Sequence, residues 1–137
     1  MGIQWNQFFA IGVPEVDNQH KELFCRVSSL LGALSQGKGK QEVGSTIRFL
    51  EEYIIKHFAD EEELMKTHSY PGLVNHKLEH ILLMEDFARI RKNLETEGAC
   101  LPLLIEIQRR LVDWLTNHIA KSDKKIGEYI NRKDSKP

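Results

Sequence analysis

The sequence predicts an all-α protein: an antiparallel up-down-up-down four-helix bundle with an extended N-terminal arm and a short C-terminal helix. Three observations predict it. Four long segments repeat apolar residues at steps of three and four, the spacing of one helix face. Short stretches rich in glycine, proline or small polar residues separate them. No strand-like alternation of comparable length competes, and no Pro/Gly-rich linker divides the 137 residues. That length suits one domain, 1–137, with a real core.

Residues 1–17 hold Trp5, Phe8, Phe9, Ile11 and Val13 without a helical period, which predicts an arm lying over the bundle. Asp17 is the expected N-cap of the first helix. The inner face of that helix reads His20, Leu23, Phe24, Val27, Leu30, Leu31 and Leu34, and Gly37-Lys38-Gly39 stops it. The second helix runs from about Lys40 to about Lys66. Its heptad seam is Val43, Ile47, Leu50, Ile54, His57, Glu61 and Leu64. The stretch from Thr67 to Gly72 breaks it.

The third helix runs from about Leu73 to Glu97, with Leu73, His76, His80, Leu83, Phe87, Ile90 and Leu94 inward, and Gly98 ends it. The fourth starts near Leu101, where Pro102 suits a first turn. Its inner face is Leu104, Ile107, Gln108, Leu111, Trp114, Leu115 and His118. Ile119 to Asn131 reads as the terminal helix, so bundle and terminal helix span 18–131, and 132–137 reads as a frayed tail.

Composition narrows the function classes. Nineteen basic and twenty acidic residues give a formal charge of −1, with no block of one sign. Nucleic acid and an anionic membrane are therefore poor partners. No stretch approaches the roughly 20 apolar residues of a membrane span, so no membrane insertion is expected. The N-terminus lacks the basic-then-apolar order of a signal peptide. Cys25 and Cys100 are far apart and without metal-type spacing. Together these features point to a cytoplasmic protein with two reduced thiols.

Six polar residues stand on seams where apolar side chains belong: His20, His57, Glu61, His76, His80 and His118. One buried polar group without a partner costs about 1–3 kcal/mol, so six together require a common cause. His57 and Glu61 are four residues apart, as are His76 and His80. On a helix that is about 40° of rotation and about 6 Å of rise, so each pair shares one stripe. In an antiparallel bundle, the start of helix one lies beside the end of helix two, the start of helix three and the end of helix four. The clusters therefore converge on one end of the core.

Asp123 fits less simply. It lies five residues after His118, about 140° around an ideal helix. If Asp123 joins the cluster, helix four must widen, break or bend between the two. Each piece has an ordinary alternative: a lone His20 can be a hydrogen-bonded core histidine, and His57–Glu61 an i,i+4 pair. His68, in the polar loop, reads as solvated. The ordinary alternatives need four separate coincidences at one level of one bundle, and a metal site needs none.

Seven donors exceed one four-coordinate zinc, and neither His-Glu-x-x-His nor a cysteine pair is present. They suit two metals with bridging carboxylates. Imidazoles with two carboxylates favour iron, manganese or cobalt over calcium and magnesium. The carboxylates offset two of the four positive charges on two divalent ions, and a bridging hydroxide would offset one more.

At these residues the chain resembles the hemerythrin family, in particular its single-domain bacterial members. The family pattern is a lone His, His-x-x-x-Glu, His-x-x-x-His and His-x-x-x-x-Asp on successive helices. Here it reads His20, His57–Glu61, His76–His80 and His118–Asp123. Trp5, VPEVDNQHKELF, HFADEE and HKLEH fit as well, so the likeness covers nearly the whole chain.

The resemblance implies two iron ions and no haem. His76, His80 and His118 would hold one iron, and His20 and His57 the other. Glu61, Asp123 and a solvent-derived oxo or hydroxo group would bridge them. It implies reversible dioxygen binding at the iron with two histidines, for oxygen storage, buffering or delivery, and no enzymatic turnover. By helical position, Leu23, Phe58, Leu83, Trp114, Leu115 and Ile119 are candidates for an apolar oxygen pocket, a role compatible with plain core packing.

Two other functions compete. An oxygen or redox sensor would need a separate partner protein. A di-iron oxidase or peroxidase of ferritin-like type expects Glu-x-x-His pairs, and no glutamate here is followed by histidine three residues on. Beyond dioxygen, the partner classes are a weak homo-oligomer or an oxygen-accepting protein.

Overall fold

The computed structural model describes residues 3–134. Three long helices lead: α1 (Pro14–Ser35), α2 (Lys40–Thr67) and α3 (Leu73–Glu97). The fourth rod is helical from Leu101 to Asp134 with two widened stretches in it. It comprises α4 (Leu101–Ile107), a π segment (Gln108–Asp113), α5 (Trp114–His118), a second π segment (Ile119–Asp123) and α6 (Lys124–Asp134). The residues at the junctions, Gln108, Trp114, Ile119 and Lys124, keep right-handed helical backbone, so no cap separates the short C-terminal helix from the rod before it.

Each rod packs on the next, and α4 closes the ring against α1. Cross-contacts fix the antiparallel sense. Lys40 at the start of α2 meets Glu95 near the end of α3, and Asn93 near the end of α3 meets Glu106 in α4. The bundle is therefore up-down-up-down, as the short loops require.

The start of α1 differs from the expectation. The helix begins at Pro14, whose fixed φ and missing N–H suit the first position, and not after Asp17. Asp17 caps the arm instead: its carboxylate accepts the backbone N–H groups of Ile11 (2.8 Å) and Gly12 (3.3 Å). The C-terminal end differs too. Helix α6 continues to Asp134, so the first residues of the predicted tail are helical, and 135–137 lie outside the described residues, as do 1–2. Gly37 ends α1 as expected, with a positive φ of 73° that an L side chain resists.

The arm holds one 3₁₀ turn, Gln7–Phe9, capped by Asn6. Ile3, Trp5 and Phe9 pack on the core, Ile11 is buried, and Phe8 stays exposed with the Lys124 ammonium over its ring. One position of the second seam shifts: Leu64 is only half-buried, while its neighbour Met65 is fully enclosed. Cys25 and Cys100 are free thiols. Among the described residues, no helix is long and apolar enough to cross a membrane.

The apolar interior comes in two parts. The larger runs from Leu23, Phe58, Leu83, Leu115 and Ile119 to the far end of the bundle. The smaller gathers Met65, Ile126 and Ile130, with Val13, Leu64, Tyr70, Leu73 and Tyr129 against them. In every rod the polar seam residues fall between a residue of one part and a residue of the other. A polar layer is thus enclosed between two apolar ones.

Candidate metal centre

All seven predicted residues meet in that layer. His20 comes from the second turn of α1, His57 and Glu61 from α2, His76 and His80 from α3, His118 from the end of α5 and Asp123 from the end of the second π segment. None is more than 4% exposed, and among the described residues they are the only buried polar or charged ones.

Their ligand atoms form two overlapping groups, each with all its atoms within 4.8 Å of one another. One holds His76, His80 and His118, the other His20 and His57, and both include Glu61 and Asp123. Each carboxylate divides its oxygens between the groups. Glu61 Oε1 lies 2.8 Å from His76 Nε2 and 3.1 Å from His80 Nε2, while Oε2 lies 3.4 Å from His57 Nε2. Asp123 Oδ1 lies 2.9 Å from His76 Nε2 and 3.1 Å from His118 Nε2, while Oδ2 lies 3.1 Å from His20 Nε2.

The second π segment resolves the five-residue spacing. A turn closed by i→i+5 bonds takes one residue more than an α turn, so Asp123 returns to the stripe of His118. Helix four widens there and does not break.

The donor chemistry tests whether cations fit. His57 Nδ1 lies 2.7 Å from Gln19 Oε1, His80 Nδ1 2.9 Å from Glu62 Oε2, and His118 Nδ1 3.0 Å from Glu79 Oε1. Those oxygens only accept, so each Nδ1 carries a proton, and a ring that holds no second proton turns a bare Nε2 inward. In that form the inward nitrogens face carboxylate oxygens, lone pair to lone pair. His118 Nε2, Glu61 Oε2 and both Asp123 oxygens have no hydrogen-bond partner despite complete burial. A layer of converging acceptors is stable only with cations among them.

Electrostatics agree. Burial lowers the His20 and His76 imidazoles, but hydrogen bonds and charge from Asp123 and Glu61 push them up to about 9 and about 10. His118 is also raised: burial lowers it, and the charge and hydrogen bond of Asp123 together with the charge of Glu61 outweigh that. Burial favours neutral Glu61 and Asp123, yet both are held well below the ordinary carboxylate range. In the metal-free protein the facing His20 and His57 imidazoles do this for Glu61, and the charge and contact of His118, with the contact of His20, do it for Asp123. Without metal, protons supply the positive charge that this layer demands.

Four supporting residues escaped the sequence reading: Gln19, Glu62, Glu79 and Ser122. Three follow a pattern. Gln19 precedes His20 but holds His57 of α2, and Glu62 follows Glu61 but holds His80 of α3. Glu79 precedes His80 but holds His118 of α5, and it also accepts the Ser122 hydroxyl at 2.7 Å. One residue is about 100° of helix, which carries each of these side chains to the neighbouring rod. A polar residue beside each ligand was the available signal, but not which histidine it would reach.

Of the predicted pocket residues, Phe58 stacks on His80, with ring centroids 3.6 Å apart and planes at 5°. Trp114, half-buried, stacks on His118 at 4.5 Å and 13°. Leu23, Leu83, Leu115 and Ile119 are buried in the larger apolar part, each next to or three residues from a histidine of the cluster.

Residues 11–130 match the family described as Hemerythrin HHE cation binding domain. The chain is 33% identical to a bacteriohemerythrin from Methylococcus capsulatus over 123 residues, covering 90% of this chain and 92% of that one. It is 31% identical to a myohemerythrin from Theromyzon tessulatum, covering 88% and 87%. Among solved structures it resembles a wild-type hemerythrin crystal structure with a TM-score of 0.80 and 30% identity, over 92% of this chain and 95% of that one. A leucine-to-alanine variant of hemerythrin gives a TM-score of 0.82 at 29% identity, over 94% and 98%. With a buried histidine–carboxylate cluster that fits a non-haem di-iron site, this chain belongs to the hemerythrin family, whose members bind dioxygen.

Proposed function

We propose that the chain binds dioxygen reversibly at a di-iron centre and serves to store, buffer or deliver it, without enzymatic turnover. His76, His80 and His118 hold one iron, His20 and His57 the other. Glu61 and Asp123, which belong to both donor groups, would bridge them, with a solvent-derived oxo or hydroxo group as a third bridge. The observation that carries this reading is the division of donors, three histidines against two around the same two carboxylates. The poorer side is the one left to take an outside ligand. When bound, the iron pair would supply reversible two-electron chemistry toward dioxygen.

The protein's own residues favour release over further reaction. Neutral imidazoles outnumber carboxylates five to two, which disfavours the highly oxidised metal states needed to break the O–O bond. Beyond the seven, no polar or charged residue among those described is buried, so no further acid stands in the interior to deliver a proton. The apolar parts on either side exclude the water and protons that would promote loss of dioxygen in a reduced form. Leu23, Leu83, Leu115 and Ile119, with the rings of Phe58 and Trp114, are the wall on the side of the larger core.

Anaerobic reconstitution with Fe(II), followed by iron counting and an oxygen titration, tests the reading. Two irons per chain and an oxygenated spectrum that reverses under vacuum are expected. Steady consumption of a reductant with no stable oxygenated species would refute it.

A further inference from the structure

The histidines held at their outer nitrogens are not held alike. Glu62 and Glu79, both carboxylates, accept from His80 and His118. His57 donates to an amide oxygen, Gln19 Oε1, at 2.7 Å. Asp60 decides which end of that amide faces His57. A carboxylate only accepts, and Gln19 Nε2 donates to Asp60 Oδ2 at 2.9 Å, so the amide oxygen is the end left for the imidazole. Lys56 Nζ reaches the same Asp60 oxygen at 3.3 Å.

We propose that Gln19, clamped by Asp60, is a positioning residue for the two-histidine half of the centre, fixing which nitrogen of His57 faces inward through a neutral acceptor. This rests on the two-metal reading above. A carboxylate behind an imidazole makes the ring a stronger donor to a metal. His80 and His118 have that support; His57 has an amide. The half with fewer protein donors therefore also has the more weakly backed His57. Both differences leave its metal poorer in electrons and more open to an outside ligand.

Cobalt(II) titration followed by visible absorption, with ring-nitrogen NMR of the zinc-loaded protein, tests this on the full chain. The variants are Gln19→Leu, Asp60→Ala and the double exchange Gln19→Glu with Asp60→Asn. The double exchange reverses donor and acceptor between the two positions, so the orientation of His57 is kept while a carboxylate now backs it. The parent is expected to take two cobalt ions. Gln19→Leu should weaken the second by about 10–100-fold and shift the His57 ring signals, with the first site unchanged. Asp60→Ala, at an exposed position, should weaken the second site by less. The double exchange should bring second-site affinity back to at least the parent's and keep the His57 tautomer of the parent. Gln19→Leu binding both ions as tightly as the parent, with unshifted His57 signals, would overturn the proposal. So would a double exchange that loses the second site as fully as Gln19→Leu. An unchanged Asp60→Ala would overturn the clamp. A parent that takes fewer than two cobalt ions would overturn the two-metal reading itself, and the proposal with it.

Discussion

His118 and Asp123 stand five residues apart in the chain and 3.1 Å apart, Nε2 to Oδ1, across one widened turn. An α-helix would have put about 140° between them. The π segment absorbs the extra residue, so five residues do the work of four. Every other pair in the cluster within one helix is spaced by four and needs no such device.

Deleting Ala120 tests that equivalence. The deletion should return Ile119–Asp123 to an α turn and leave Asp123 on the stripe of His118, because the residues beyond keep their phase. Two metals per chain by elemental analysis are expected. Loss of one would mean that the wide turn itself, and not the shared stripe, places the carboxylate.

His118→Ala removes a donor from the three-histidine group and leaves Asp123 Oδ1 with one imidazole fewer. Reconstituted protein should contain less iron and lose its oxygenated spectrum. Retention of two irons with reversible oxygen binding would show that His118 is not a ligand.

The metal-free protein should lose stability toward alkaline pH. His20 and His76 are raised to about 9 and about 10 from an ordinary 6.5, so across that window the folded chain holds protons that the unfolded chain has released. Their contribution is full below about 6.5 and fades as pH rises through 9 to 10. Glu61 and Asp123 are lowered, so theirs is present above the ordinary carboxylate range and fades in acid. Urea unfolding of metal-free protein should give a lower midpoint at about pH 10.5 than at about pH 7. Equal midpoints would mean that the two imidazoles are not charged there.

Leu115 is 1% exposed and lies three residues before His118. Leu115→Tyr should keep two irons but alter oxygen affinity or the rate of autoxidation, read by stopped-flow absorbance. No change in either would remove Leu115 from the oxygen pocket.

Gly127→Ala should free the arm. A Cβ there would lie 1.8 Å from the Ile11 carbonyl oxygen, a backbone atom with nowhere to move while the arm is docked. Overpacking of this kind costs about 1–3 kcal/mol. A lower melting temperature and faster proteolysis within residues 3–12 are expected. Unchanged cleavage would show that the arm adjusts in place.

Much was legible in the sequence because it depends on period. Apolar steps of three and four set the four rods, and His57–Glu61 and His76–His80 share stripes wherever a helix forms. Antiparallel order alone then brings His20 and His118 to the same level. Boundaries were less legible. Asp17 has the chemistry of an N-cap, but its carboxylate is taken by the amides of Ile11 and Gly12, a contact between segments that local pattern does not reveal.

By itself, then, the sequence determined the helices, their order and six of the residues that share one layer, since these follow from helical spacing and antiparallel order, while Asp123 entered through the family pattern. Only the tertiary structure decided how Glu61 and Asp123 divide their oxygens, that Ile119–Asp123 widens rather than breaks, and that Gln19, Glu62 and Glu79 each hold a histidine on the next rod. These depend on the relative rotation and height of neighbouring helices. Those quantities are set by packing across the whole core, and no single helix encodes them.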